Sequence, residues 1–109
     1  MQKIEKFNIE NFINGWIIGN FAPTLYKTND VEVAIKVYKK GEFENSHYHK
    51  IATEFTVVLT GIIEMNGTRY QEGDIIKIEP EIATNFISIT DAKTVVIKIP
   101  GANNDKYIY

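Results

Sequence analysis

Two histidines and a glutamate stand close together in the stretch GEFENSHYHKIATEFTVVLTG, residues 41–61: His47, His49 and Glu54. They include both histidines of the chain. Alternate residues of a β-strand point the same way, about 6.6 Å apart. Two imidazoles so placed can lean toward one ion, each meeting it at roughly 2.0–2.1 Å. Tyr48 between them then faces away. Glu54 can return on the next strand, after a short turn through residues 50–53. Two imidazoles and a carboxylate suit a borderline divalent ion (Fe, Mn, Ni, Co or Zn) better than Ca or Mg. The H-x-H pair alone is a weak signal, since histidines are often exposed and Glu54 can equally be a surface residue.

The surrounding sequence supplies strands to carry these residues. VEVAIKVYKK alternates, with Val31, Val33, Ile35 and Val37 on one face and Glu32, Ala34 and Lys36 on the other, the mark of a half-buried strand. FTVVLTG is β-branched and stops at a glycine. IIEMNGTRYQ reads as a hairpin, with Asn66-Gly67 supplying the positive φ angles of a type I′ turn. The Glu72-Gly73-Asp74 turn leads into IIKI, and Pro80 ends that strand because it has no N–H for the ladder. TNFISI and TVVIKI follow, separated by Thr90 and Asp91. Pro100-Gly101 closes the last long strand, and the tail DKYIY is apolar enough to dock. A short helix at residues 9–13 is the best helical candidate. Many short strands with turns every eight to twelve residues indicate an all-β sandwich or barrel, with residues 1–109 as a single domain.

The spacing Gly41-x5-His47-x-His49-x4-Glu54-x6-Gly61 resembles the first motif of the cupin superfamily, position for position. Gly73 and Pro80 resemble the start of the second motif, with one extra residue between them. Ile82 stands where that motif has a glycine. Asn85 stands where it has a third histidine. The resemblance implies a cupin-type double-stranded β-helix, a jelly-roll barrel with a small-molecule pocket in its open mouth. It implies a metal set of His47, His49 and Glu54, with Asn85 in the fourth position. There Asn85 can bind through its amide oxygen, orient a metal-bound water, or leave the position open. It also implies a homodimer, for which an exposed edge of VEVAIKVYKK would give a physical reason.

Composition narrows the function classes. The net charge is −2, and no Lys/Arg run is long enough to follow phosphates, so no nucleic-acid partner is expected. The absence of cysteine removes disulfides, zinc–thiolate sites and a thiol nucleophile. No apolar leader or membrane-spanning run is visible, so a cytoplasmic protein without membrane contact is the expectation. What remains is a metal enzyme on a small polar metabolite, either a dioxygenase or a sugar isomerase or epimerase. The alternative is a non-catalytic small-molecule or carbohydrate-binding module, with or without metal. Tyr38, Tyr48, Tyr70 and Lys98 are the candidates for proton transfer. Trp16 reads as core or interface packing and the tail as packing, while Lys98 reads as a side chain reaching for solvent or, alternatively, one that points into the barrel to meet an anionic substrate. Phe43, Tyr70 and Phe86 are candidates for the barrel mouth or for its core.

Overall fold

The computed structural model describes residues 3–102 and 105–108. After a 3-10 turn at Ile9–Asn11, where the sequence suggested a short helix, ten strands follow. They are β1 (Trp16–Ile18), β2 (Glu32–Tyr38), β3 (Phe43–His49), β4 (Thr53–Thr60) and β5 (Ile62–Met65), then β6 (Thr68–Gln71), β7 (Ile75–Ile78), β8 (Thr84–Ser88), β9 (Ala92–Ile99) and β10 (Lys106–Ile108). They form two five-stranded sheets, ordered β1-β2-β9-β4-β7 and β10-β3-β8-β5-β6. Each pairing is antiparallel.

Local chemistry sets the corners. Asn66 and Gly67 have φ of 49° and 82°, so the β5–β6 hairpin turns in the primed sense that matches strand twist. Gly61, between β4 and β5, has φ of 86°, and a Cβ there would collide with the backbone oxygen of Asp91. β7 stops at Ile78, two residues before Pro80.

Period-two alternation holds along β2, but the valine-rich face is not the one turned inward. Glu32 and Ala34 are buried at 6% and 0% exposure, whereas Val37 is 59% exposed. Alternation separates two faces; only the surroundings decide which is interior, and here the interior beside β2 is a polar cavity. β2 is also not the outermost strand of its sheet. β9 pairs along its whole length on one side, whereas β1 pairs on the other only with Val33 and Ala34, so the edge left open to another chain is short.

Register sorts the interior of the first sheet into rows. Glu32, Lys98 and Glu54 lie side by side across β2, β9 and β4, and Ala34, Val96 and Thr56 form the row beneath. Further along, Val58, Ile63, Met65, Ile78, Phe86 and Ala92 close into an apolar cluster. The barrel is thus dry and packed at one end and charged at the other. β3 and β4 deliver the histidines and Glu54 to the charged end.

Candidate metal centre and ligand cavity

β3 brings His47 and His49 to the same face, buried at 8% and 6% exposure, with ring centroids 5.4 Å apart. Tyr48 points the other way and stacks on Tyr107 of β10, as its position between the histidines predicts. Glu54, on β4, is buried at 9% exposure, and its Oε1 lies 3.4 Å from Nε2 of His49. His47 and Glu54 line a cavity of about 290 Å³. His49 sits behind its wall.

Backbone carbonyls fix both rings. Nδ1 of His47 is 3.1 Å from the Asn45 oxygen, and Nδ1 of His49 is 3.0 Å from the Asp105 oxygen. A carbonyl only accepts, so each Nδ1 carries a proton and donates. In the neutral rings both Nε2 lone pairs are then available to a cation. Nε2 of His49 is buried and has no hydrogen-bond partner among the described residues. Burial opposes ionisation of Glu54, but the adjacent His49 ring and the Lys98 charge outweigh it and hold the carboxyl below its ordinary range. Burial likewise lowers the pKa of His47 and favours its neutral form. Nε2 of His49 and a carboxylate oxygen therefore face each other in a largely buried place. That contact repels unless a cation, either a proton or a metal ion, stands between them. The donor types fit a transition metal. As they stand, no three His, Asp or Glu side chains among the described residues are grouped closely enough to share one ion.

Asn85 does not join the trio. Its Oδ1 accepts the Asn66 N–H at 2.7 Å, while its own N–H donates to Asn66 Oδ1 at 3.1 Å. The register of β8 turns Thr84 and Phe86 into the cavity and leaves Asn85 exposed, clamping the β5–β6 hairpin. The position where the motif has a third histidine is paired with Asn66 in this chain.

Trp16, Lys36, Tyr38 and Lys98 all line the cavity. Lys98 therefore faces inward rather than out to solvent, and Trp16 is cavity wall rather than packing alone. The Tyr38 hydroxyl donates to Glu44 Oε1 at 3.1 Å, and burial together with that carboxylate raises its pKa well above the ordinary value. Phe86 lines the cavity, Tyr70 packs on the apolar cluster, and Phe43 is 68% exposed.

Asp105 had no visible signal beyond being an acid in an apolar tail. Its carboxylate accepts three backbone N–H groups, of Lys50, Ile51 and Ala52, at 3.1, 3.0 and 3.0 Å. Burial raises its pKa, but those three donors more than offset it and leave the carboxyl below its usual range. One residue thus fixes the β3–β4 turn with its side chain and the His49 ring with its backbone.

No family model and no curated protein sequence matches this chain; the likeness is to solved structures. An uncharacterized protein with a double-stranded β-helix domain, from Klebsiella pneumoniae subsp. pneumoniae, aligns with a TM-score of 0.73 at 20% identity, over 97% of each chain. An RmlC-like cupin from Shewanella frigidimarina aligns at 0.64 and 18% identity, over 72% of each chain. Oxalate decarboxylase from Bacillus subtilis, a protein with Mn(II) centres, aligns at 0.62 and 15% identity, over 74% of this chain and 24% of that one. The fold is that of the cupins, a double-stranded β-helix. Among the described residues, no helix is long and apolar enough to cross a membrane.

Proposed function

We propose that His47, His49 and Glu54 hold a divalent transition-metal ion (Fe, Mn, Ni, Co or Zn), and that the cavity beside it binds or transforms a small polar metabolite. Sugar derivatives and oxo or hydroxy acids are the candidate class. The carrying observation is the unpartnered, buried Nε2 of His49, 3.4 Å from a carboxylate oxygen. Its Nδ1 donates to a backbone carbonyl, so Nε2 turns toward Glu54 with either a lone pair or, in the imidazolium, a proton. A cation relieves that contact, and imidazole with carboxylate is the donor chemistry of these ions. The Mn(II) centres of oxalate decarboxylase, on the same fold, support the choice. When bound, the ion would supply a Lewis-acid position for a ligand oxygen. Among the chain's own groups, Tyr38 faces the same cavity with its proton tightly held, which suits it to donate a hydrogen bond rather than to act as a base.

A second reading is favoured by the lack of any close three-donor group among the described residues. In it a proton on His49 Nε2 completes an imidazolium–carboxylate pair, and the barrel is a metal-free binding module.

Elemental analysis of untagged protein, reloaded in turn with each metal, separates the two. The metal reading predicts one ion per chain in the wild type and its loss in His49→Ala. Equal content in both proteins, or no uptake by the wild type, leaves the proton reading. Turnover is read by incubating any ligand that raises Tm with the metal-loaded protein, in air and under nitrogen, and looking for product by mass spectrometry.

A further inference from the structure

Two ammonium groups meet at one indole. Nζ of Lys36 lies 5.0 Å from the centre of the Trp16 ring, and Nζ of Lys98 lies 4.8 Å from it. All three side chains line the cavity that His47 and Glu54 also line. Lys98 stands between Glu32 and Glu54 in its register row, yet no carboxylate among the described residues comes within 4.0 Å of either ammonium. Lys36 donates one hydrogen bond, to the Asn14 oxygen at 2.8 Å. Lys98 makes none among the described residues.

A cation over an indole is attracted to the electron-rich ring face. Two cations at the same ring also repel each other, so the ring alone is a poor counter-charge. Burial, partly offset by Glu44, lowers the pKa of Lys36, and the charge of Lys98 adds to the effect. An anion beside the indole, within reach of these ammonium groups, would relieve the repulsion. The charge it carries is bounded by the acids already present. Glu32, Glu44, Glu54 and Asp105 line the same cavity together with Lys36, Lys98 and Lys106, so its acids already offset its lysines, and a ligand with one negative charge is tolerated far better than a dianionic phosphate.

We propose that Lys36 and Lys98, ranged over Trp16, form the anion-recognising end of the cavity, and that its ligand is a small carboxylic acid whose carbon face lies on the indole. The inference rests on the reading of this cavity as a ligand site, and it narrows that reading to acids. Neutral sugars lack the group that the two lysines would hold.

Trp16 is the only tryptophan of the chain, so its fluorescence reports occupancy whether or not metal is bound. Wild-type protein is titrated with gluconate, malate, sorbitol and glucose 6-phosphate, both metal-loaded and chelator-treated. Gluconate or malate is expected to shift the emission saturably and to bind more weakly as salt rises, while sorbitol has no effect. Lys36→Met and Lys98→Met keep the apolar stems and remove the charges, and each should weaken binding about ten- to a hundredfold, the loss of a charge-assisted hydrogen bond. Lys93→Met, on the outward face of the same sheet, should bind as the wild type does. Sorbitol binding as well as gluconate, glucose 6-phosphate binding more tightly than the acids, no response to either acid, or unchanged binding in both lysine variants would each overturn the proposal. Should the variants not fold, salt-independent binding of the acids by the wild type overturns it as well. Carboxylate binding that ignores metal, in a protein that takes up none, removes the metal centre and leaves this site standing. Metal uptake with lysine-independent ligand binding does the reverse.

Discussion

Replacing Asp105 with alanine tests how far the tail builds the site. The carboxylate accepts the N–H groups of Lys50, Ile51 and Ala52. Ala52 is 2% exposed, so its amide has no route to water once the acceptor is gone; such an orphan costs about 1–3 kcal/mol. Lys50 and Ile51 are exposed, and their amides can rehydrate at a net loss of about 1 kcal/mol together. The sum is about 2–4 kcal/mol. At about 4 °C per kcal/mol for a domain of this length, Tm should fall by about 8–16 °C at neutral pH. Asp105→Asn keeps one acceptor oxygen and should lie between. The pH dependence has a definite sign. A carboxyl depressed on folding stabilises above its unfolded pKa, and that contribution is lost as pH falls from about 4 through the lower folded value. Circular-dichroism melts from pH 7 to pH 3 should therefore show a shallower acid limb in Asp105→Ala than in the wild type. A Tm within about 2 °C of wild type, against an expected fall of about 8–16 °C, would refute the argument that this carboxylate holds the β3–β4 turn.

Substitutions at two further positions separate scaffold from site. Asn85→Ala removes one half of the reciprocal pair with Asn66 and should lower stability by about 1 kcal/mol in a denaturant titration, with metal uptake unchanged; for the same reason Asn85→His should not tighten metal binding, and calorimetry showing tighter binding would bring residue 85 back to the centre. Tyr38→Phe removes a hydroxyl whose pKa rises on folding, a shift that stabilises fully below the unfolded tyrosine pKa of about 10 and is lost as pH climbs toward the folded value, so the variant should show a flatter alkaline decline in Tm, and identical alkaline limbs would count against the Tyr38–Glu44 bond.

The fold was legible because most of its signals are local. Asn66-Gly67 dictates a hairpin, Pro80 stops a ladder, and alternation marks strands whatever they pack against. Motif spacing was legible for the same reason: β3 and β4 are consecutive, so one turn brings Glu54 beside His49, and strand alternation puts His47 on the same face. What escaped depends on distant partners. Lys36 and Glu32 looked like the solvent side of a strand, because a charged residue facing inward has meaning only beside a polar cavity. Asn85 looked like a ligand in a degenerate motif. Its pairing with Asn66, 19 positions away in sequence, gives the amide another use. Asp105 acts on residues more than 50 positions earlier, and no periodicity announces a contact of that range.

The same long reach explains why a tail belongs to this site at all. Take β10 away and β3 becomes the outer strand of its sheet, with unpaired backbone groups beside both histidines. The two rings would lie at a wet and mobile edge, where imidazole lone pairs are hydrated and a carboxylate neighbour is screened. With β10 in place, Lys106 to Ile108 pair with His49 back to His47, and Asp105 orients the inner ring. The charged end of the barrel gives up the apolar packing that Val58, Ile63 and Phe86 provide at the other end. Backbone ladder bonds and the Asp105 turn are the kind of order it can have instead, because they hold polar residues still without filling the space a ligand needs. Rigidity at a polar site then comes from hydrogen bonds to main chain, and the cavity between Trp16 and Glu54 can stay open.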